Sequence, residues 1–160
     1  MIYVLLGEEY FLVKRALDKL LDERCPKAAR DFNFDAYEAQ DLDVKKIASA
    51  LGTLPMMAER RCVLIKNAHE LRKSDMESLE PLLAQVPDTS DLIFVGLKAD
   101  NRFGFWKNLL KAAKVTEFKP LTSYEVPKWL IDQAKQSGYQ LSQEAAQMIE
   151  EGVGDRKSVV

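Results

Sequence analysis

The side chains of this 160-residue chain that could do chemistry are few. Cys25 and Cys62 stand alone and His69 is the single histidine, so there is neither a Cys-x-x-Cys pair nor a second imidazole to complete a zinc set. That spacing argues against a metal site and for two reduced thiols in a reducing compartment. His69 follows Asn67-Ala68 after an apolar run and reads as a solvated or helix-start residue. A phosphate loop needs several glycines and a Lys-Ser or Lys-Thr pair, to offer backbone N–H groups and a positive charge. The segment Gly7-Glu8-Glu9-Tyr10-Phe11-Leu12 offers two carboxylates instead, which would repel phosphate. Lys66-Asn67 stands where an ATPase of this architecture carries its acidic pair, and where a receiver domain carries its phosphoacceptor aspartate. No nucleophile elbow is present, and Cys62 has no catalytic partner in sequence. Neither a catalytic set nor a cofactor is expected.

Two segments carry positive information about binding. Leu54-Pro55-Met56-Met57 places two adaptable side chains beside a proline in a helix-to-strand connection, where solvent is the usual neighbour. Either the methionines fold back onto the core, or they form a protruding apolar wedge for a partner's pocket. Lys107, Lys111 and Lys114 recur at i, i+4 and i+7 along a helix. They read as a solvated face, or as a contact with nucleic-acid phosphates or an acidic partner.

The elements that must position these residues follow from periodicity. With 23 Lys+Arg against 25 Asp+Glu, the net charge of −2 cannot drive nucleic-acid or anionic-membrane binding by the chain as a whole, so any such contact must be local. The apolar start Ile2 to Leu6 is broken by Gly7-Glu8-Glu9, far short of a signal or spanning segment, which points to a cytoplasmic protein with no membrane contact. That start reads as a buried strand, followed by a helix from Tyr10 with the stripe Tyr10, Val13, Leu17, Leu20 and Leu21, ended by Pro26. Phe32 to Tyr37 alternates as an edge strand with Asn33 and Asp35 on one face. Asp41 or Asp43 caps a helix to about Leu51, Arg61 to Lys66 is a third strand, Leu71 to Val86 a helix, and Leu92 to Val95 a fourth strand. A helix from about Phe103 to Lys114 and a strand Val115 to Phe118 complete five strands alternating with four helices, the pattern of a parallel sheet covered on both faces. The chain then divides at about residue 121. In 122–160, Thr122 to Glu125 has capping-box form, Trp129, Leu130 and Ala134 run to a stop at Gly138, and Ser142 caps a helix with Ala145, Ala146, Met148 and Ile149. Two helices cannot enclose a core, so this reads as the opening of a small helical domain, with no periodic element in the tail from Gly154.

In this order the segments resemble a known family. Tyr3 to Leu12, Phe32-Asn33, Thr53 to Arg61 leading into Val63 to Ala68, Lys98 to Arg102, Trp129 and Gly152 to Asp155 are similar to the bacterial DNA polymerase III delta subunit family, across nearly the whole chain. The resemblance implies an AAA+-like domain over residues 1–121 that has lost its nucleotide site, a non-catalytic role, and no cofactor. It implies a subunit that binds the beta sliding clamp and helps open it for loading onto primed DNA, with contact through Met56 and Met57, flanked by Leu54 and Pro55. The partners implied are that clamp, other clamp-loader subunits, and DNA through the complex. A delta-prime-like bracing subunit would not need the wedge, and a degenerate P-loop NTPase would retain weak nucleotide binding. Family members continue past Gly-x-Asp into a further helix and a collar domain, whereas this chain reads Arg156-Lys157-Ser158-Val159-Val160, so a truncated form is expected.

Overall fold

The computed structural model describes residues 1–154 and divides into two compact units, Met1–Lys119 and Pro120–Val160. The tail segment 155–160 lies outside the described residues. In the first unit β1 (Ile2–Gly7), β2 (Phe34–Glu38), β3 (Arg61–Lys66), β4 (Ser90–Gly96) and β5 (Lys114–Phe118) form one sheet in the order β2-β3-β4-β1-β5. Every pairing is parallel. β1, β3 and β4 have a neighbour on each side, and Val4 sits in register with both Phe94 and Val115. That position explains their unbroken apolar runs, since side chains on both faces are covered.

The helices of this unit are α1 (Tyr10–Arg24), α2 (Arg30–Asn33), α3 (Val44–Gly52), α4 (Lys73–Leu83) and α5 (Gly104–Ala112). One sheet face, with Val4, Val63, Ile65, Leu92 and Phe94, packs on Ile47 of α3, Leu79 of α4 and Trp106 of α5. The other face, with Tyr3, Leu64 and Ile93, packs on Leu21 and Cys25 at the end of α1. Helices on both faces of a parallel sheet are thus the observed architecture. Gly7 ends β1 for a packing reason: a Cβ there would lie 2.6 Å from the carbonyl oxygen of Phe118.

Several boundaries differ from the sequence reading, each for a local reason. Phe32 and Asn33 are not in the strand; after Pro26 the chain makes a 3-10 turn at Lys27–Ala29 and then the single turn α2, and β2 begins at Phe34. Tyr10 is not part of the buried stripe of α1 but is 76% exposed, and burial on that helix starts at Val13. α4 is shorter than the expected 71–86: a 3-10 turn at Ala68–Glu70 precedes it, and Pro81, lacking an N–H, weakens its last turn. α5 stops at Ala112, because Ala113 is extended and Lys114 already pairs with Tyr3 in β5.

The second unit contains α6 (Val126–Gln136) and α7 (Gln143–Gly154) packed on each other. Glu125 accepts hydrogen bonds from the N–H and hydroxyl of Thr122 at 2.9 and 2.8 Å, and Ser142 accepts one from the N–H of Ala145 at 3.1 Å. Gly138, at φ +81°, closes α6 in a Schellman arrangement with the Tyr139 N–H on the Ala134 carbonyl at 2.8 Å. Ala146 is buried, but Met148 is 72% exposed rather than inward, and Tyr124 and Tyr139 are exposed as well.

Candidate partner-binding loop

The loop between α3 and β3 is built from its ends inward. Asp43 caps α3, its carboxylate accepting the N–H groups of Lys45 and Lys46 at 3.0 and 3.3 Å. Ile47, Ala50 and Leu51 anchor the helix in the core. As the chain leaves it, the Thr53 hydroxyl donates to the Ser49 carbonyl at 2.8 Å. Leu54, Met56 and Met57 then stand out at 74%, 51% and 94% exposure, with Pro55 half-buried between them. The methionines therefore do not fold back onto the core. Met57 has φ +54°, the left-handed region, which costs a residue with a Cβ about 1–2 kcal/mol.

What holds an apolar loop in this shape is Asn33. Its side chain is fully buried, and its amide meets the backbone of Met56 on both sides: the Met56 N–H donates to Oδ1 at 2.6 Å, and Nδ2 donates to the Met56 carbonyl at 2.7 Å. Nδ2 also donates to the Ala29 carbonyl at 2.8 Å, tying the loop to the turn before α2. An asparagine amide carries a donor and an acceptor side by side and so can replace a missing strand neighbour. Cys25 lies beneath, its thiol donating to the Asn33 carbonyl at 3.8 Å. Burial pushes the Cys62 thiol up to about 12 and raises that of Cys25, so both are inert fillers rather than nucleophiles.

The loop's return is fixed by charge. The fully buried Asp91 receives Arg60 in a two-pronged contact at 2.8 and 2.9 Å, Arg24 at 2.8 Å, and the amino group of Met1 at 3.2 Å. Burial alone would raise the Asp91 carboxyl, but the hydrogen bonds from Arg60 and Arg24 and from the amino terminus outweigh it and hold it below its ordinary value. Arg61 donates to the Phe32 carbonyl at 2.9 Å and to Asp35 at 2.6 Å, joining β3 to the same turn. Sequence reading missed Asn33, Arg60 and Asp91 as loop supports. Asn33 could have been suspected as a polar residue between an aromatic and a strand, while the Arg60–Asp91 pair left no mark in spacing.

The lysine stripe does not survive intact. Lys107 and Lys111 are exposed on α5, but Lys114 is on β5, its Nζ 6.0 Å from the ring centroid of Tyr3. At the carboxyl ends of the strands a crevice of about 440 Å³ is lined by Gly7, Tyr10, Lys14, Lys66, Asn67 and His69. Its cations face carboxylates already: Lys14 meets Asp18 at 2.7 Å and Lys66 meets Glu38 at 3.1 Å. The His69 Nδ1 is occupied by the Leu97 N–H at 3.2 Å. Among the described residues no cluster of three His, Cys, Asp or Glu could hold a metal, and no helix is long and apolar enough to cross a membrane.

An open parallel sheet of this strand order, covered by helices on both faces, has an AAA+-like fold, and Glu8-Glu9 follow its first strand where a phosphate loop would stand. The model of the family "DNA polymerase III, delta subunit" matches residues 3–119. The DNA polymerase III subunit delta of Bacillus subtilis (strain 168) is 27% identical over 159 residues, covering 91% of this chain and 45% of that protein. Among solved structures, the Bacillus subtilis DNA clamp loader delta protein superposes with a TM-score of 0.76 at 24% identity, over 92% of this chain and 46% of the other. The Thermotoga maritima RuvB Holliday junction branch migration motor matches in fold, with a TM-score of 0.53 at 16% identity over 93% and 47%. The chain belongs to the DNA polymerase III delta subunit family, and it spans about half the length of the relatives it matches.

Proposed function

We propose that this chain is the clamp-gripping portion of a DNA polymerase III delta subunit, a non-catalytic clamp-loader component whose Leu54–Met57 loop inserts into a pocket of the beta sliding clamp. The observation that carries the reading is the contrast at Met56 and Met57: the side chains are exposed, while the backbone is gripped by Asn33. A loop meant for solvent needs neither two methionines nor a buried amide to shape it. Binding free energy of such a wedge favours whichever clamp conformation accepts it, and ring opening is that preference expressed across a nearby subunit interface. Contact with other loader subunits, and with DNA through them, belongs to the same proposal, as does action in the cytoplasm.

Fully burying a methionine contributes about 1.5–3 kcal/mol. Met57 has nearly all of its surface to offer and Met56 half. Binding to the sliding clamp of the same organism, followed by calorimetry, is therefore expected to weaken by about 30-fold or more in a Met56→Ala, Met57→Ala double variant, equivalent to ~2 kcal/mol. A folded wild-type chain that does not bind the clamp, or a double variant that binds as well as wild type, would overturn the reading.

A further inference from the structure

Phe32 is a large aromatic side chain, 57% exposed, in the charged turn Arg30-Asp31-Phe32-Asn33. Its ring takes no part in the hydrogen bonds that tie α2 to its neighbours, which use the Phe32 carbonyl, through Arg61, and the side chain of the next residue, Asn33. Those same bonds tie the turn to the methionine loop. Adjacent Cα atoms are ~3.8 Å apart, and Asn33 reaches the Met56 backbone through its own short side chain, so the backbones of Phe32 and Met56 lie within about 10 Å of each other. Beside them, the stretch that leads into the turn and the end of the loop bound a cleft of about 400 Å³, with Pro26, Ala28, Ala29, Met57 and Ala58 in its lining. The turn and the loop are therefore neighbours, held side by side by these hydrogen bonds.

We propose that the clamp contact extends from the methionine loop to this neighbouring turn, with Phe32 as a second apolar anchor against the clamp. This rests on the clamp-binding reading above. A protein interface covers roughly 800 Å² on each partner, so a contact centred on Met57 reaches Phe32 without any movement of the fold. The backbone of Phe32 is already pinned on both sides, so docking it freezes little beyond the ring, the economy that makes rigid aromatics effective anchors.

The test compares clamp binding by the wild-type chain, Phe32→Ala, Phe32→Leu and Met57→Ala, with melting temperatures alongside. Phe32→Ala is expected to bind about tenfold more weakly, equivalent to ~1.4 kcal/mol, at an unchanged melting temperature, with Phe32→Leu recovering part of the loss. Hydrogen exchange on the wild-type complex gives a readout independent of any variant: amides in 27–33 are expected to gain protection together with those of 54–58. Phe32→Ala binding within twofold of wild type while Met57→Ala fails, or no added protection in 27–33, overturns the second anchor and leaves the wedge standing. Failure of the wild-type chain to bind overturns both.

Discussion

Replacing Asn33 with alanine removes the clasp on Met56 while leaving every apolar side chain of the loop in place. Three hydrogen bonds disappear, two to the Met56 backbone and one to the Ala29 carbonyl. The groups left behind sit at the edge of the protein, where water can reach some of them, so the cost falls near ~1 kcal/mol for each bond rather than the full penalty of a sealed interior, about 2–4 kcal/mol in all. Much of that loss is local, because α3 and β3 remain anchored in the core and only the segment between them is released. If the clasped conformation is what the clamp recognises, the apparent dissociation constant rises by the inverse of the fraction that still occupies it. A loss of ~2 kcal/mol then weakens binding by up to about 30-fold. The assay pairs urea unfolding with hydrogen exchange at the Met56 amide and calorimetry against the clamp. Asn33→Asp refines it: the carboxylate can still accept the Met56 N–H but faces the Met56 and Ala29 carbonyls, so at neutral pH it should be at least as damaging as alanine. Wild-type exchange at the Met56 amide as fast as in an open coil, or wild-type clamp affinity in Asn33→Ala, would refute the clasp.

Met57→Gly separates fold from function: it relieves the left-handed backbone at φ +54°, so urea stability should hold or rise by up to ~1 kcal/mol while clamp affinity falls. Because the folded Asp91 carboxyl is held below its unfolded value of roughly 3.9, its contribution is present above that value and disappears as pH falls through the folded one. Asp91→Asn should therefore lower stability at neutral pH, by less than the roughly 3–5 kcal/mol of a sealed ion pair since Arg24 and Arg60 can reach solvent, and should flatten the acid limb of a stability-against-pH curve. Cys25 and Cys62, fully buried and with the Cys62 thiol near 12, should ignore a thiol reagent in the native chain and react only when urea unfolds it. Asp43→Ala should cost about 1 kcal/mol through loss of the cap of α3, read as a shift in the urea midpoint at constant slope.

Hydropathy period specifies the kind of each main element. The runs at Ile2–Leu6, Val63–Ile65 and Leu92–Val95 are apolar at every position because they are covered on both faces, and that signal is local to the strand. The missing phosphate loop is equally local, a matter of which residues follow Leu6. The residues 54–57 stood out for the same reason, although their composition alone left open whether the methionines pointed inward or outward. The tertiary structure decided that: Asn33 grips the Met56 backbone, and the side chains of Met56 and Met57 stay exposed.

Other features depended on partners distant in sequence. Asn33 looks like one polar residue of an alternating strand until β2 is found to begin one residue later and the loop after α3 arrives beside it. Asp91 carries no signal in the sequence beyond its place before Leu92, and its role comes from Arg24 and Arg60 converging on it. Lys114 continues a helical spacing in the sequence, yet pairing with β1 claims it for β5, because ladder hydrogen bonds to Tyr3 and its neighbours outweigh one more turn of helix. Sequence by itself thus determined the sheet, its covering helices and the apolar character of the loop, all of which follow from side-chain periodicity within one element. Only the tertiary structure decided that the loop is clasped by Asn33 and tied to the turn that carries Phe32, because both depend on hydrogen bonds between segments more than twenty residues apart.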